Sequence, residues 1–160
     1  MSKDENTLIL GIGGVGMHLA RRLVHEGYPV TVIESDAELL ANAAESLDAR
    51  LICGNAMRLS SWREAHAQNM ELIIATTNDD STNIMSALIA DKFGIERKIV
   101  RARSTDLVDG SIFSPEDLKI DLIVHPEELV AQEIFRLVQR ASCNDLTPVG
   151  EGNMRVLAMR

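Results

Sequence analysis

The sequence predicts an α/β protein built on a doubly wound sheet of about six parallel strands with helices on both faces. Short β-rich runs alternate along the chain with amphipathic runs of helical length, which is typical of parallel strands joined by crossover helices. Residues 72–75 are apolar throughout, as expected of a central strand covered on both faces. A glycine-rich turn also joins the first strand to the first helix.

The predicted strands are short runs rich in apolar and β-branched residues, bounded by glycine or polar residues. They cover 7–11, 29–34, 49–53, 72–75, 98–103 and 121–124. The first helix has apolar residues at helical spacing from Val15 to Val24 and ends at Gly27, a suitable C-terminal cap. The second is centred on 39–47, and 60–67 is a short helix at best.

The second half of the chain is less regular. A fourth helix, capped by Asp80 or Ser81, ends at Gly94, and 104–119 is a loop with a helical turn. A final helix covers 126–141, and its apolar residues span about 160° of the helical wheel, wider than the usual stripe of about 100°. That width predicts a second contact surface on this helix.

Length and composition limit the organisation and the partners. A length of 160 residues predicts a single core. The composition, with 46% hydrophobic and 25% charged residues, excludes a disordered chain. No apolar run is long enough for a membrane span. We assign 1–141 to one domain and treat 142–160, which is turn-rich with a lone strand at 154–159, as too short for another. A net charge of −8 makes nucleic acid an unsuitable partner.

Few residues suggest catalysis or metal binding. The two cysteines form no C-x-x-C pair and no metal-spaced set with the four histidines, which fits a reducing compartment. No histidine has an acid or nucleophile that the sequence places beside it. We therefore assign no catalytic residue and no metal site.

The glycine motif G-x-G-x-x-G occupies residues Gly11, Ile12, Gly13, Gly14, Val15 and Gly16. In a Rossmann-like fold the first glycine allows the tight turn, the second lets a diphosphate approach the backbone, and the third lets the helix pack on the strand. The helix dipole favours phosphate at this end. The alternative is a turn that is merely flexible.

Glu34 ends the second strand near the spacing, about 20 residues after the motif, at which an acid binds the ribose hydroxyls of an adenosine. Such a carboxylate would repel a 2′-phosphate, so NAD or an unmodified adenine nucleotide is expected rather than NADP. Ser35 and Asp36 are further candidates, although either could simply cap the next helix. Glu34 itself could be a solvated charge.

Residues at the ends of the third and fourth strands should border the same crevice. They are Cys53-Gly54-Asn55-Ala56 and Thr76-Thr77-Asn78-Asp79. Asn55 could bind an adenine edge and Thr77 a ribose or phosphate oxygen, or both could satisfy turn backbone. Arg101 and Arg103 lie two residues apart on the fifth strand and should share one face of it. Their guanidinium groups could together bind a phosphate or a partner's carboxylate. The alternative is a solvated face that forms salt bridges.

Several short motifs occur together in a fixed order. They are Gly11 to Gly16 with His18-Leu19-Ala20, the strand ending at Glu34, Gly54-Asn55-Ala56, Ala75-x-Thr77-x-x-Asp80-x-x-Asn83, Arg101-x-Arg103, Ile120-Asp121 and Pro126-Glu127-Glu128. With them the chain, over about residues 7–160, resembles the N-terminal TrkA-N domain of the TrkA family of potassium-uptake regulators, within the wider RCK (KTN) group. Glu34 replaces the family's frequent Asp, and His125 a frequent Ser.

The resemblance implies a regulatory, non-enzymatic domain that binds NAD(H), ATP or ADP in the glycine-loop crevice. It also implies a homodimer paired through about residues 126–141, with larger rings possible, and a cytoplasmic location at the inner face of the membrane through a potassium-translocating membrane subunit. Residues 142–160 would open a C-terminal subdomain. Two alternatives stand beside it: the cofactor-binding domain of an NAD-dependent oxidoreductase, and a scaffold that has lost its ligand.

Overall fold

Six parallel strands form the main sheet of the computed structural model, which describes residues 5–104, 113–141, 146–148 and 155–157. The strands are β1 (Thr7–Leu10), β2 (Val30–Glu34), β3 (Arg50–Cys53), β4 (Leu72–Ala75), β5 (Arg97–Arg101) and β6 (Leu122–Val124). Their order across the sheet is β3-β2-β1-β4-β5-β6. Strand order therefore reverses between β1 and β4, which confirms the predicted doubly wound sheet.

Helices connect the first five strands. They are α1 (Gly14–His25), α2 (Ala37–Ala44), α3 (Leu59–Glu64) and α4 (Asp80–Phe93), with a single 3₁₀ turn at Ala67–Asn69 before β4. The N-cap of α4 is Asp79, whose carboxylate accepts a hydrogen bond from the Thr82 amide. The expected caps, Asp80 and Ser81, instead lie inside the first turn.

The core has two layers, one on each face of the sheet. Along β1, Leu8 and Leu10 pack on the side that contains Trp62, whereas Ile9 packs on the other side with Val32. All five side chains are fully buried. Burial on both faces explains why the strands are continuously apolar instead of alternating.

The fifth strand is shorter than predicted and ends at Arg101. The Ala102 amide still donates to Val124 on β6, but the amides of Arg103 and Ser104 donate to the carboxylate of Asp80. The prediction that Arg101 and Arg103 share a strand face is therefore wrong, because a carboxylate at the start of α4 replaces the sheet partner.

Of the predicted loop 104–119, residues 105–112 lie outside the described residues. Residues 115–119 form a turn in which the Leu118 amide donates to Ser114, and the Asp117 carboxylate accepts hydrogen bonds from the amide and hydroxyl of Ser114. These two bonds hold the pKa of Asp117 below its ordinary value.

The chain divides into two compact units, Met1–Val124 and His125–Arg160. The second contains helix α5 (Pro126–Ala141), as predicted, and an antiparallel pair formed by β7 (Leu146–Pro148) and β8 (Arg155–Leu157). The prediction of a lone strand at 154–159 is wrong because β8 has a partner. The domain boundary placed after residue 141 stays a prediction.

Helix α5 presents a broad apolar surface. Its exposed apolar side chains are Leu129, Val130, Ile134, Phe135, Leu137 and Val138, each 53–63% exposed. Within the described part of the chain, no helix combines the length and the apolar character needed to cross a bilayer.

Candidate functional site

A cavity of about 450 Å³ lies at the carboxyl ends of the central strands, where the strand order reverses. Open α/β sheets bind ligands at this position. The residues that line it are Gly11, Gly13, Gly14, Val15, Ile33, Glu34, Ser35, Asp36, Leu39, Gly54, Asn55, Ala56, Thr76, Thr77, Asn78, Asp79, Thr82 and Arg101.

The glycine loop is shaped by close backbone contacts. Gly11 has a φ of +84°, and a Cβ on it would lie 2.9 Å from the Thr77 backbone. A Cβ on Gly16 would lie 2.0 Å from the Gly11 carbonyl oxygen. A Cβ on Gly13 or Gly14 would meet no atom within 4 Å, because both residues border the cavity. Gly11 and Gly16 therefore serve packing, while Gly13 and Gly14 leave room for a ligand.

The N-terminus of α1 is open to this cavity. Gly13 is its N-cap and supplies no side-chain cap, so the amides of the first turn have no side-chain partner there. These amides and the helix dipole together favour an anion such as phosphate.

Glu34 ties the glycine loop to the turn after β2. Its Oε2 accepts a hydrogen bond from the Ile12 amide at 2.8 Å. Its Oε1 accepts from the amides of Ser35 and Asp36, at 2.6 and 2.9 Å, and from the Ser35 hydroxyl. Glu34 is thus held in place by the protein and is not a freely solvated charge. Asp36 caps α2 through the amides of Glu38 and Leu39.

The polar residues after β3 and β4 satisfy local backbone. Asn55 Oδ1 accepts from the Met57 amide at 2.7 Å, and the Thr76 hydroxyl donates to the carbonyls of Leu10 and Gly11. Because Asn55, Thr76 and Thr77 also line the cavity, the turn role and a ligand role are compatible. Their contacts with a ligand stay predictions.

The start of α4 carries an acid with an altered pKa. Hydrogen bonds from the Thr82 hydroxyl and then the Thr82 amide hold the pKa of Asp79 below its ordinary value of 3.8. Asp79 is therefore ionised at neutral pH.

The two arginines have different surroundings. Arg101 lines the cavity and is the one cation among its described lining residues. The Arg103 guanidinium donates to the Asn78 carbonyl, and its Nε lies 3.7 Å from Asp80 Oδ1. Arg103 therefore braces the β4–α4 turn and does not border the cavity.

The structure brings most of the predicted site residues together. Twelve line the cavity: Gly11, Gly13, Gly14, Val15, Glu34, Ser35, Asn55, Ala56, Thr76, Thr77, Asn78 and Arg101. Ile12, Gly16, Cys53 and Arg103 do not line it, although the Ile12 amide donates a hydrogen bond to Glu34. Sequence reasoning missed Ile33, Leu39 and Thr82. Leu39 had the helical spacing of a core residue, yet it is 39% exposed at the cavity wall.

The cavity lining combines groups suited to binding a phosphorylated sugar. Among its described lining residues there is no His, Lys, Tyr or Cys, and no group of metal-ligating side chains occurs in the described part of the chain. Backbone amides, one guanidinium and a fixed carboxylate can hold a phosphorylated sugar. The fold and this site define a Rossmann-type nucleotide-binding domain.

Comparison with known families narrows the class. Residues 7–126 match the TrkA-N domain family, and the chain belongs to it. This confirms the resemblance drawn from the motifs.

Curated relatives agree with this assignment. The chain is 33% identical over 152 residues to the "Trk system potassium uptake protein TrkA homolog" of Methanothermobacter thermautotrophicus, covering 95% of this chain and 68% of the relative. It is 30% identical over 156 residues to the TrkA protein of Vibrio alginolyticus, covering 96% of this chain and 34% of that protein. The chain thus spans about a third of the longer relative.

Solved structures share the fold. The TrkA-N domain of the Escherichia coli inner membrane protein ybaL superposes with a TM-score of 0.74 at 22% identity, covering 84% of this chain and 97% of that one. The GsuK channel bound to NAD superposes with a TM-score of 0.72 at 26% identity, covering 88% of this chain and 24% of that one. The structure of GsuK bound to ADP superposes with a TM-score of 0.71 at 26% identity, covering 87% of this chain and 35% of that one.

Proposed function

We propose that this chain is a nucleotide-sensing regulatory domain of a potassium-transport system. It binds NAD(H), ATP or ADP in the glycine-loop cavity and acts, from the inner face of the membrane, on a potassium-translocating membrane subunit. The observation that carries the proposal is the open N-terminus of α1 beside a fixed carboxylate, in a fold shared with a channel solved with NAD.

The ligand class follows from the chemistry of the cavity. The amides at the start of α1 suit a diphosphate, and Glu34 has acceptor capacity for ribose hydroxyls at the end of β2. NAD and ADP have this combination in common, which agrees with the two GsuK structures. The cavity volume of about 450 Å³ lies within the range of small-molecule sites.

The regulatory role is favoured over catalysis by the family to which the chain belongs. Two curated relatives are named as potassium-uptake proteins, which supports the transport role.

Pairing through α5 completes the proposal. A helix with six large apolar residues more than half exposed requires a partner surface in water. A second copy of the same helix offers a matching apolar face, and paired domains could pass a ligand-dependent rearrangement to a membrane subunit.

Native mass spectrometry of the purified protein, followed by calorimetry with NAD, NADH, ATP and ADP, tests the proposal. We expect bound nucleotide mass, an even subunit count and dissociation constants below about 1 mM. Absence of binding by all four at millimolar concentration would contradict the nucleotide role. Steady oxidation of NADH with a carbonyl substrate would contradict the non-enzymatic assignment.

The transport role needs a separate measurement. The protein should bind a Trk-type membrane subunit from the same organism in detergent, and the affinity should change with nucleotide. A nucleotide with equal affinity for both arrangements shifts nothing, so identical affinities with and without every nucleotide would contradict regulation.

A further inference from the structure

A buried asparagine on α4 joins two walls of the cavity. Asn83 is fully buried and makes four hydrogen bonds through its side chain. Its Oδ1 accepts from the amide and the hydroxyl of Thr77, at 2.9 and 2.7 Å. Its Nδ2 donates to the carbonyls of Thr77 and Arg101, both at 3.0 Å. The amide group therefore has its full complement of partners.

These partners belong to different elements. Thr77 lies in the β4–α4 turn, lines the cavity and packs against Gly11 of the glycine loop, where a Cβ would be 2.9 Å away. Arg101 is the last residue of β5 and also lines the cavity. Asn83 is thus a bridge from the glycine-loop side of the cavity to the end of β5.

The end of β5 is in turn bonded to β6. The Ala102 amide donates to the Val124 carbonyl at 3.0 Å, and Asp80 on α4 holds the amides of Arg103 and Ser104. A displacement of Thr77 must move or break its bonds to Asn83, whose side chain is fully buried. The network ends at Val124, directly before the second compact unit.

We infer that Asn83 is a positioning residue that couples nucleotide occupancy of the cavity to the carboxyl ends of β5 and β6. The inference rests on the proposed function, since it assigns the side chain through which occupancy of that site reaches the segment preceding α5. Asn83 touches no ligand itself and acts through the Thr77 and Arg101 backbones.

Asn83→Ala is the direct test, with Ser86→Ala as its matched control. Ser86 is also fully buried on α4, and its hydroxyl donates to the Thr82 carbonyl within the helix. Hydrogen exchange of the backbone amides in 97–104 and 122–124, with and without saturating ADP, reports the coupling. Calorimetry with ADP and with NAD reports the affinity.

In the wild type and in Ser86→Ala, ADP should slow exchange at Ala102, Arg103 and Ser104. In Asn83→Ala this ligand-dependent slowing should disappear even at saturation, and ADP affinity should fall about tenfold. If Asn83→Ala does not fold, Asn83→Ser, which keeps one hydroxyl donor, should show a partial loss of the same slowing.

Two results would overturn the inference, and they differ. Ligand-dependent slowing that is the same in the Asn83 variants and in the control would leave the nucleotide role intact and remove the coupling role of Asn83. Failure of the wild type itself to bind nucleotide would overturn the proposed function and this inference together.

Discussion

Glu34 and Ile12 are joined by a hydrogen bond of 2.8 Å from the Ile12 amide to Glu34 Oε2. The other carboxylate oxygen is already shared among three donors in the turn after β2. Capacity for a ribose hydroxyl therefore remains chiefly on Oε2, beside the glycine loop. Glu34, the proposed ribose acceptor, is thus bonded to the glycine loop that precedes the proposed diphosphate site at the start of α1.

The first prediction concerns the sugar. A 2′-phosphate placed about 4 Å from Glu34 would be opposed by about 4 kcal/mol at an effective dielectric of 20, and partial exposure reduces this. We expect NADP to bind about 100-fold more weakly than NAD in calorimetry. Glu34→Gln should reduce this difference in affinity between NAD and NADP to about tenfold. Asp36→Asn also removes a lining carboxylate but keeps a good helix cap, and it should leave most of the difference in affinity between NAD and NADP. Equal affinities of the wild type for NAD and NADP would contradict this.

The second prediction separates two glycines of one motif. Gly16→Ala should destabilise the fold severely, because its Cβ would overlap the Gly11 carbonyl at 2.0 Å. Gly13→Ala should change thermal stability only slightly, since its Cβ meets nothing within 4 Å and its φ is −61°, and the small change should be a loss because alanine is a poorer N-cap than glycine. The same methyl group would occupy the space for a diphosphate, so nucleotide affinity should fall at least about tenfold.

Melting temperature and calorimetry on the two variants distinguish these effects. The informative result is opposite behaviour: Gly16→Ala with a large loss of stability, and Gly13→Ala with normal stability and weak binding. If Gly13→Ala bound nucleotide as tightly as the wild type, the diphosphate would have to lie elsewhere.

The sheet could be predicted because its strands are buried on both faces. Continuous apolar runs such as Leu72–Ala75 can then be recognised without knowing their partners. The end of β5 could not be predicted in this way. Arg103 continues an apparently regular run, and only the remote Asp80 carboxylate, which binds its amide, ends the strand.

The site was predictable where it depends on backbone and less so where it depends on side-chain direction. Gly11 and Glu34 occupy positions that the strand ends determine, so spacing alone located them at the cavity. Leu39 has the periodicity of a core residue, and nothing in its spacing indicates that it faces the cavity. Asn83 lies in a helix interior, where the sequence does not distinguish a buried amide from a solvated one.

A third prediction concerns pH. The pKa of Asp79 is lower in the folded protein than in the unfolded chain, so its stabilising effect is complete above the ordinary value of 3.8 and is lost as the pH falls through the lower, folded value. Asp79→Ala should cost about 1 kcal/mol near pH 7, and the difference from wild type should shrink below that ordinary value.

Asp79→Asn provides the control, because asparagine is an equally good N-cap without a titrating group. Its stability relative to Asp79→Ala should not change over the same acid range. Denaturant unfolding at pH 7, 5, 3.5 and 2.5 measures both differences. A wild-type advantage over Asp79→Ala that stays constant through the acid range would show that the ionised carboxylate is not the stabilising form.

A fourth prediction compares the two arginines. Arg101 lines the cavity, so Arg101→Met should weaken ADP binding about tenfold, the effect of losing one charge-assisted hydrogen bond. Arg103 is held by the Asn78 carbonyl and lies beside Asp80, so Arg103→Met should change the affinity less than about threefold. Calorimetry with ADP at two ionic strengths checks both variants. A larger loss of ADP affinity in the Arg103 variant than in the Arg101 variant would contradict the roles assigned to the two arginines.

The last prediction concerns α5, whose apolar residues are exposed in the single chain. Burying Ile134 and Phe135, each more than half exposed, against a second copy removes apolar area from water and supplies the driving force for pairing. Ile134→Glu should raise the dimer dissociation constant at least about 100-fold, because it places a carboxylate in that interface. Gln132→Glu introduces the same charge about 160° from Ile134 on the helical wheel, where Gln132 bonds the exposed Glu128, and should have little effect. Sedimentation equilibrium measures both variants, and a wild type that remains monomeric at high concentration would show that another partner covers this face.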